Sequence, residues 1–344
     1  MNAMRRHRTL AATVAAVVVV VVGLTTSTGP TATPDAHADP LGSAGILAPT
    51  PDEVIDPFYL PPVDLPATPG AVIKTEPTTI SATLPGADST WPANRTRIMF
   101  TSRDVHDRPA AVTAMIIEKS GPWHGPGERP TVVIAPGTTG QGDRCAISLT
   151  APSGLWAGAN PDPYFSANQE IVSAAKWHAR GTRVVLTDYI GLGTPGIHTY
   201  VNRVETGRAV LDAARAARDL AGGSSPLLLW GYSQGGGATA AAAELQPTYA
   251  PELDLRGVWA GAPVADLEQV LHVADGGLIG GVIGWTINGY VDRYPQLRPM
   301  LEAGISDKGR ALLDASATKC IGGIIVKAPF THTSDLTVDG RGLG

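Results

Sequence analysis

Between Thr131 and Gly261, four short apolar runs alternate with segments of helical period, and this alternation constrains the fold more than any other feature of the chain. The runs are "TVVIAPG" from Thr131, "TRVVLTD" from Thr182, "LLLWGYS" from Leu227 and "LRGVWAG" from Leu255. Runs this short and this rich in Val and Leu, closed by glycine, proline or a polar residue, read as strands, the first of them buried on both faces. Between them, "NQEIVSAAKWHARG", the amphipathic "RVETGRAVLDAARAARDLAGG" and an alanine-rich tract after Gly237 carry helical spacing. Strand and helix in alternation imply an α/β fold, a mostly parallel sheet with crossover helices. Upstream, "TRIMFTSRD" and "AAVTAMIIEKS" are joined by a polar turn and predict an antiparallel pair.

The two ends of the chain differ from this core. "MNAMRRHRTLAATVAAVVVVVVGL" places Arg5, Arg6 and Arg8 before an apolar run from Leu10 to Leu24, and Ala36 and Ala38 stand in small-x-small positions before Asp39. That is the pattern of a secretory signal, cleaved near Ala38; the run falls short of the roughly 20 residues that span a bilayer. The mature chain loses three arginines and one aspartate with residues 1–38, which takes the formal charge from -5 to -7. A mildly acidic exported protein has no basic stripe for nucleic acid. Residues 39–85 are dense in proline, which excludes a central strand and predicts an extended arm with short helical turns, Phe58 and Tyr59 giving it something to bury. The core follows over residues 86–266.

From Leu267 the pattern turns helical, and residues 267–344 read as a cap. Within "GGLIGGVIGWTINGYVDRY", Leu278, Ile279, Val282, Ile283 and Ile287 fall on one face, as either an ordinary packed helix or a lid over an apolar substrate. The chain has two cysteines, Cys145 and Cys320. Export places them where disulfides persist, so one long-range bridge is the economical reading and two buried thiols the alternative.

Gly231, Tyr232, Ser233, Gln234 and Gly235 spell G-x-S-x-G at the junction of a predicted strand and a predicted helix. Glycines at both flanks allow a strained turn that projects the serine at the carboxyl end of the sheet, which is the context that gives this motif a nucleophile. A nucleophilic serine needs donors for the oxyanion. The N–H of Gln234 supplies one at a helix start, and the loop "GTTGQGD" after the first parallel strand is the place for the second, through the N–H of Thr138 or Thr139. A purely structural turn is the bland alternative for both glycine-rich segments.

The segments "FYLPP", "PGTTGQGDRCA", "TDYIGLGTPGIHTY", "WGYSQGGGA" and "WAGAPVADL" resemble the secretory lipase family, secreted α/β-hydrolases of actinobacteria and fungi of the yeast lipase A type. The resemblance extends from about Phe58 to Gly344. It implies an acyl hydrolase acting on lipid esters, a Ser-Asp-His triad, a helical cap between the sixth and seventh strands and a disulfide like Cys145–Cys320; no cofactor or metal is expected, and transient contact with a lipid surface is.

The resemblance also exposes a gap, because the acid and the base of such a triad follow the nucleophile on loops after two further strands. Here the sequence reaches "TSDLTVDGRGLG" within the predicted cap, so the last strands, the acid and the base are expected to be missing. A compressed triad of Ser233, Asp314 and His332 is the internal alternative, with "IGGIIVK" as its strand, but Asp314 falls inside the helical run "GRALLDASATK". His272 reads as a surface or packing residue and Asp188 as structural. The expected function is a secreted lipase or esterase; a lipid-binding protein on a hydrolase scaffold is the reading from another class.

Overall fold

The computed structural model describes residues 56–80, 94–152, 155–158 and 164–342. The signal segment 1–38, residues 39–55 of the arm and residues 81–93 lie outside the described residues.

One sheet organises these residues. Its strands are β1 (Val72–Thr78), β2 (Arg95–Arg103), β3 (Pro109–Ile117), β4 (Thr131–Ala135), β7 (Arg183–Thr187), β8 (Leu227–Tyr232) and β9 (Leu255–Gly261), in the order β1-β2-β3-β7-β4-β8-β9. A separate hairpin joins β5 (Leu155–Gly158) to β6 (Tyr164–Ala167). The pairs β1/β2, β2/β3 and β3/β7 are antiparallel, whereas β7/β4, β4/β8 and β8/β9 are parallel. The parallel half therefore comes from the alternating segment of the sequence, as the crossover rule demands. All five residues of β4 are buried, which explains why its sequence lacks polar alternation.

The helices are α1 (Ile147–Thr150), α2 (Glu170–Ala179), α3 (Arg203–Ala221), α4 (Gln234–Tyr249), α5 (Leu267–Ala274), α6 (Ile283–Arg293), α7 (Arg298–Gly304), α8 (Asp307–Ala317) and α9 (Ile321–Lys327). Helix α3 starts on the Asn202 side chain, which accepts from the Glu205 N–H, and ends on left-handed Gly222. Ala209, Ala213, Ala214, Ala216 and Ala217 of this helix are buried with Val210 and Leu211 in a core that also holds Ile98, Phe100, Val133, Val185 and Leu229. A second core on Met115, Val132, Ile134, Leu186 and Ile171 lies among the same strands.

The proline-rich arm forms a short 3-10 turn at Pro57–Tyr59 and then the edge strand β1, which accommodates Pro77 because an edge residue need not donate to a ladder. Phe58 and Tyr59 are buried, and the Tyr59 hydroxyl lies 2.8 Å from Ser148 Oγ. At the opposite edge, the aromatic rings of β8 and β9 stack: Trp230 on Trp259 at 4.1 Å and Tyr232 on Trp259 at 6.5 Å, with Trp177 edge-on to Trp230.

Helices α5 to α9 build a region with its own apolar cluster on Tyr200, Val282, Trp285 and Ile324. Ile321–Lys327 is helix α9, in line with the helical cap and against the strand that the compressed-triad alternative needed, and the apolar stripe divides, with Val282 and Ile283 buried while Ile279 is 46% exposed. Asp314 does lie in helix α8. A buried ion pair, Arg293 Nε to Glu205 at 2.7 Å, fixes the end of α6 to the start of α3.

Candidate active site

Strand β8 delivers its last residue, Tyr232, to the carboxyl end of the sheet, and Ser233 follows at φ 56° and ψ -118° before α4 begins at Gln234. A non-glycine residue in that region costs about 1–3 kcal/mol, and the surrounding backbone must hold it there. Two glycines make this possible. A Cβ on Gly231 would lie 2.1 Å from the Gly235 carbonyl oxygen, and one on Gly235 would lie 2.0 Å from the Ala135 carbonyl oxygen. The turn is thus packed into β4, and the Ser233 N–H donates to the Gly261 carbonyl at 2.9 Å, which ties it to β9 as well. Ser233 itself is half-buried.

The expected donors converge on the same edge. Gln234 is the first residue of α4, so its N–H has no partner inside the helix. Thr138 and Thr139 lie in the loop after β4, and among the described residues no acceptor takes their N–H groups. That loop is held from several directions. The Thr139 carbonyl accepts from the Ile321 N–H at 2.8 Å, the Gln141 N–H donates to the Lys319 carbonyl at 3.1 Å, and Cys145 is disulfide-bonded to Cys320 with Cα atoms 5.4 Å apart. The buried Gln141 side chain donates to the carbonyls of His198 and Trp285 at 2.8 and 3.0 Å and accepts from Asn288 at 3.0 Å.

His198 was not singled out by the sequence, yet it touches the site. Burial pushes it down to about 4, so its imidazole is neutral. Its Nδ1–H donates to the Ile190 carbonyl at 3.2 Å, which leaves Nε2 to accept from the Gln234 amide at 2.8 Å. The ring stacks on Tyr189 at 5.5 Å and fixes the Gln234 side chain. His332 is 3.5 Å from Asp275, not Asp314, and is mostly exposed. His272 is exposed. Asp188 is fully buried, accepting from Thr113 Oγ1 at 2.6 Å and from both N–H and hydroxyl of Ser148; burial pushes it up to about 6. Among the described residues Ser233 makes no hydrogen bond to a histidine, and no group of three or more His, Cys, Asp or Glu side chains is placed to hold a metal.

A cavity of about 500 Å³ lies between the Tyr200–Val201 segment, Val264 and the helices from Leu267 to Ile287. Its walls include Tyr200, Val264, Leu271, Val282, Ile283 and Ile287. Of these, the Tyr200 hydroxyl is 2.8 Å from Thr138 Oγ1 in the loop after β4, and a Cβ on Gly237 of α4 would lie 3.2 Å from the Val264 carbonyl oxygen.

A mixed sheet with a parallel half, carrying a serine on a strained strand-to-helix turn, defines the class as an α/β-hydrolase. The crystal structure of Candida antarctica lipase A in its closed state shares this fold with a TM-score of 0.68 at 21% identity, covering 84% of this chain and 65% of that one. The chain belongs to the secretory lipase family, whose sequence model matches residues 164–341. Similar proteins include a probable inactive lipase of Mycobacterium tuberculosis, 29% identical over 277 residues, 75% of this chain and 56% of that protein. Trichothecene C-3 esterase of Fusarium sporotrichioides is 28% identical over 263 residues, 73% of this chain and 55% of its own. Lipase 6 of Candida albicans is 34% identical over 157 residues, 44% of this chain and 33% of that lipase. The chain therefore spans about half the length, or less, of these curated relatives.

Proposed function

We propose that this chain is an exported carboxylic ester hydrolase of acylglycerol-type substrates, with Ser233 as its nucleophile. The observation that carries the reading is Ser233 at φ 56° on a turn where Gln234 offers a free helix-start N–H. Ser233 Oγ attacks the ester carbonyl while the Gln234 N–H and that of Thr138 or Thr139 hold the oxyanion; the C–O bond to the alcohol breaks, the alkoxide leaving with the proton the serine gives up, and water then cleaves the acyl-serine to the carboxylic acid and restores the hydroxyl. The cavity walls suit an acyl chain. Val270 on its rim and the neighbouring Val273, 82% exposed, suit contact with a lipid surface. Export is supported by the family and by the disulfide, which persists in oxidising compartments.

In this reading the described residues supply nucleophile and donors but neither the histidine base nor its carboxylate. Reaction of Ser233 in this chain is then slow, since without base and acid only oxyanion stabilisation and binding remain. The test is covalent labelling by a fluorophosphonate at alkaline pH, where hydroxide takes the serine proton. Label on Ser233 that disappears in Ser233→Ala is the expected result, and no label, or label elsewhere, defeats the reading.

A second reading has a specific support, the name of the Mycobacterium relative as a probable inactive lipase. The same cavity then holds an acyl chain without turnover. Saturable binding of a radiolabelled fatty acid, together with an unreactive Ser233, decides for it.

A further inference from the structure

Glu170, the first residue of α2, is a buried carboxyl that the reaction above does not use. Its Oε1 accepts from the Gly137 N–H at 2.7 Å. The other end of the same peptide unit is also held, because the Pro136 carbonyl accepts from the Tyr189 hydroxyl at 2.8 Å. This doubly clamped peptide abuts the nucleophile turn: a Cβ on Gly137 would lie 3.3 Å from the Tyr232 carbonyl oxygen, and one on Gly235 would lie 2.8 Å from the Pro136 oxygen. The next two N–H groups along the chain are those of Thr138 and Thr139.

A carboxylate at this place is expensive, and burial raises its pKa. The groups facing it are the Gly137 amide, the Gln169 side chain and, from the end of β7, the neutral Tyr189 phenol, whose own pKa the carboxylate helps raise. No cation is among these contacts, so only hydrogen bonds and the start of α2 offset the desolvation. A neutral side chain of similar size would fill the space at less cost. What the charge adds is a bond of about twice the strength of a neutral one.

We propose that Glu170 is a positioning residue for acyl transfer: with Tyr189 it locks the Pro136–Gly137 peptide plane and thereby aims the Thr138 and Thr139 N–H groups at the acyl carbonyl on Ser233. This rests on the nucleophile reading above. It makes loop order and fold stability respond oppositely to acid. With the folded pKa above the unfolded one, the ionised group burdens the fold above the folded pKa, and that burden is relieved as pH falls through it. The clamp weakens over the same interval.

The experiment compares wild type with Glu170→Gln, which keeps an acceptor oxygen without charge, and Glu170→Leu, which keeps neither. Fluorophosphonate labelling of Ser233 is followed against pH, with melting temperature and amide exchange of Gly137 on the full chain. The expected loss of labelling rate in Glu170→Leu is roughly 10- to 100-fold, the scale of misplacing a reacting group by about an ångström. Glu170→Gln recovers most of that rate, melts no lower than wild type at neutral pH, and shows only the fall that hydroxide supply imposes on both proteins, so the wild-type to Gln rate ratio shrinks as pH drops. Faster Gly137 exchange in Glu170→Leu accompanies these changes. A rate ratio constant in pH, or a Leu variant that labels like wild type, overturns the inference while leaving Ser233 as the nucleophile. Should wild type fail to label at all, the nucleophile reading fails separately, and unchanged Gly137 exchange in Glu170→Leu then overturns the clamp on its own.

Discussion

The nucleophile turn and the loop from Gly137 to Asp143 meet at the same edge of the sheet but are held in place by different means. The turn is fixed by its own backbone: Gly231 and Gly235 pack against carbonyls within a few residues or on the adjacent β4, and Ser233 bonds to the end of β9. The loop is fixed by partners far along the chain, at Glu170, Tyr189, His198, Trp285, Asn288 and the Lys319–Ile321 segment. One half of the site is therefore local and the other depends on the completed fold. Perturbations should separate them.

The harshest way to break the local half is Gly235→Ala, which sets a methyl group 2.0 Å from the Ala135 oxygen. Because both atoms belong to backbone, the turn or β4 must move, and a loss of at least about 4 kcal/mol is expected in denaturant unfolding, with labelling abolished. The non-local half breaks more gently. Replacing Cys145 and Cys320 together by serine removes a bridge across 175 residues and should cost about 2–5 kcal/mol. Its distinguishing mark is slower labelling in protein that still folds, since the turn itself does not depend on that bridge.

Smaller effects sharpen the contrast. Asp188 bonds the Ser148 amide just beyond Cys145, and its folded value near 6 lies above the usual carboxylate range. Its charge therefore weighs against folding above that value and is relieved as pH falls through it, by about 1 kcal/mol between roughly pH 7 and pH 5. Asp188→Asn should remove that increment from the measured difference in unfolding free energy between the two conditions. Tyr200→Phe deletes only the 2.8 Å contact with Thr138 Oγ1. A change of about 0.5–1 kcal/mol in stability is expected, with a modest drop in labelling.

What could be read from the residues follows the same division. The strands β4, β7, β8 and β9, the serine turn and the exclusion of the proline-rich arm from the sheet centre were legible because each rests on local composition: apolar runs, flanking glycines, prolines without donors. Thr138 and Thr139 could be placed in the loop after β4, and the Cys145–Cys320 bridge was the more economical of two readings for a chain with two cysteines and an export-type leader pattern. Glu170, Gln141 and His198 carried no such signal. Glu170 reads as an ordinary acidic residue at a helix start, and its burial depends on the loop that folds over it. At Ile321–Lys327 the run of isoleucine and valine left a strand open as an alternative to the helical cap; the segment is helical, with Ile324 packed with Val282 and Trp285.

The stacked rings at the far edge of the sheet give the molecule a built-in optical gauge. Trp230 lies three positions before Ser233, in face contact with Trp259, and Tyr232 is the serine's immediate neighbour in the chain. A displacement of the turn that carries Trp230 away from Trp259 changes the surroundings of two of the chain's seven tryptophans, and comparing the emission of Trp259→Phe with that of the parent chain isolates this pair without an attached dye.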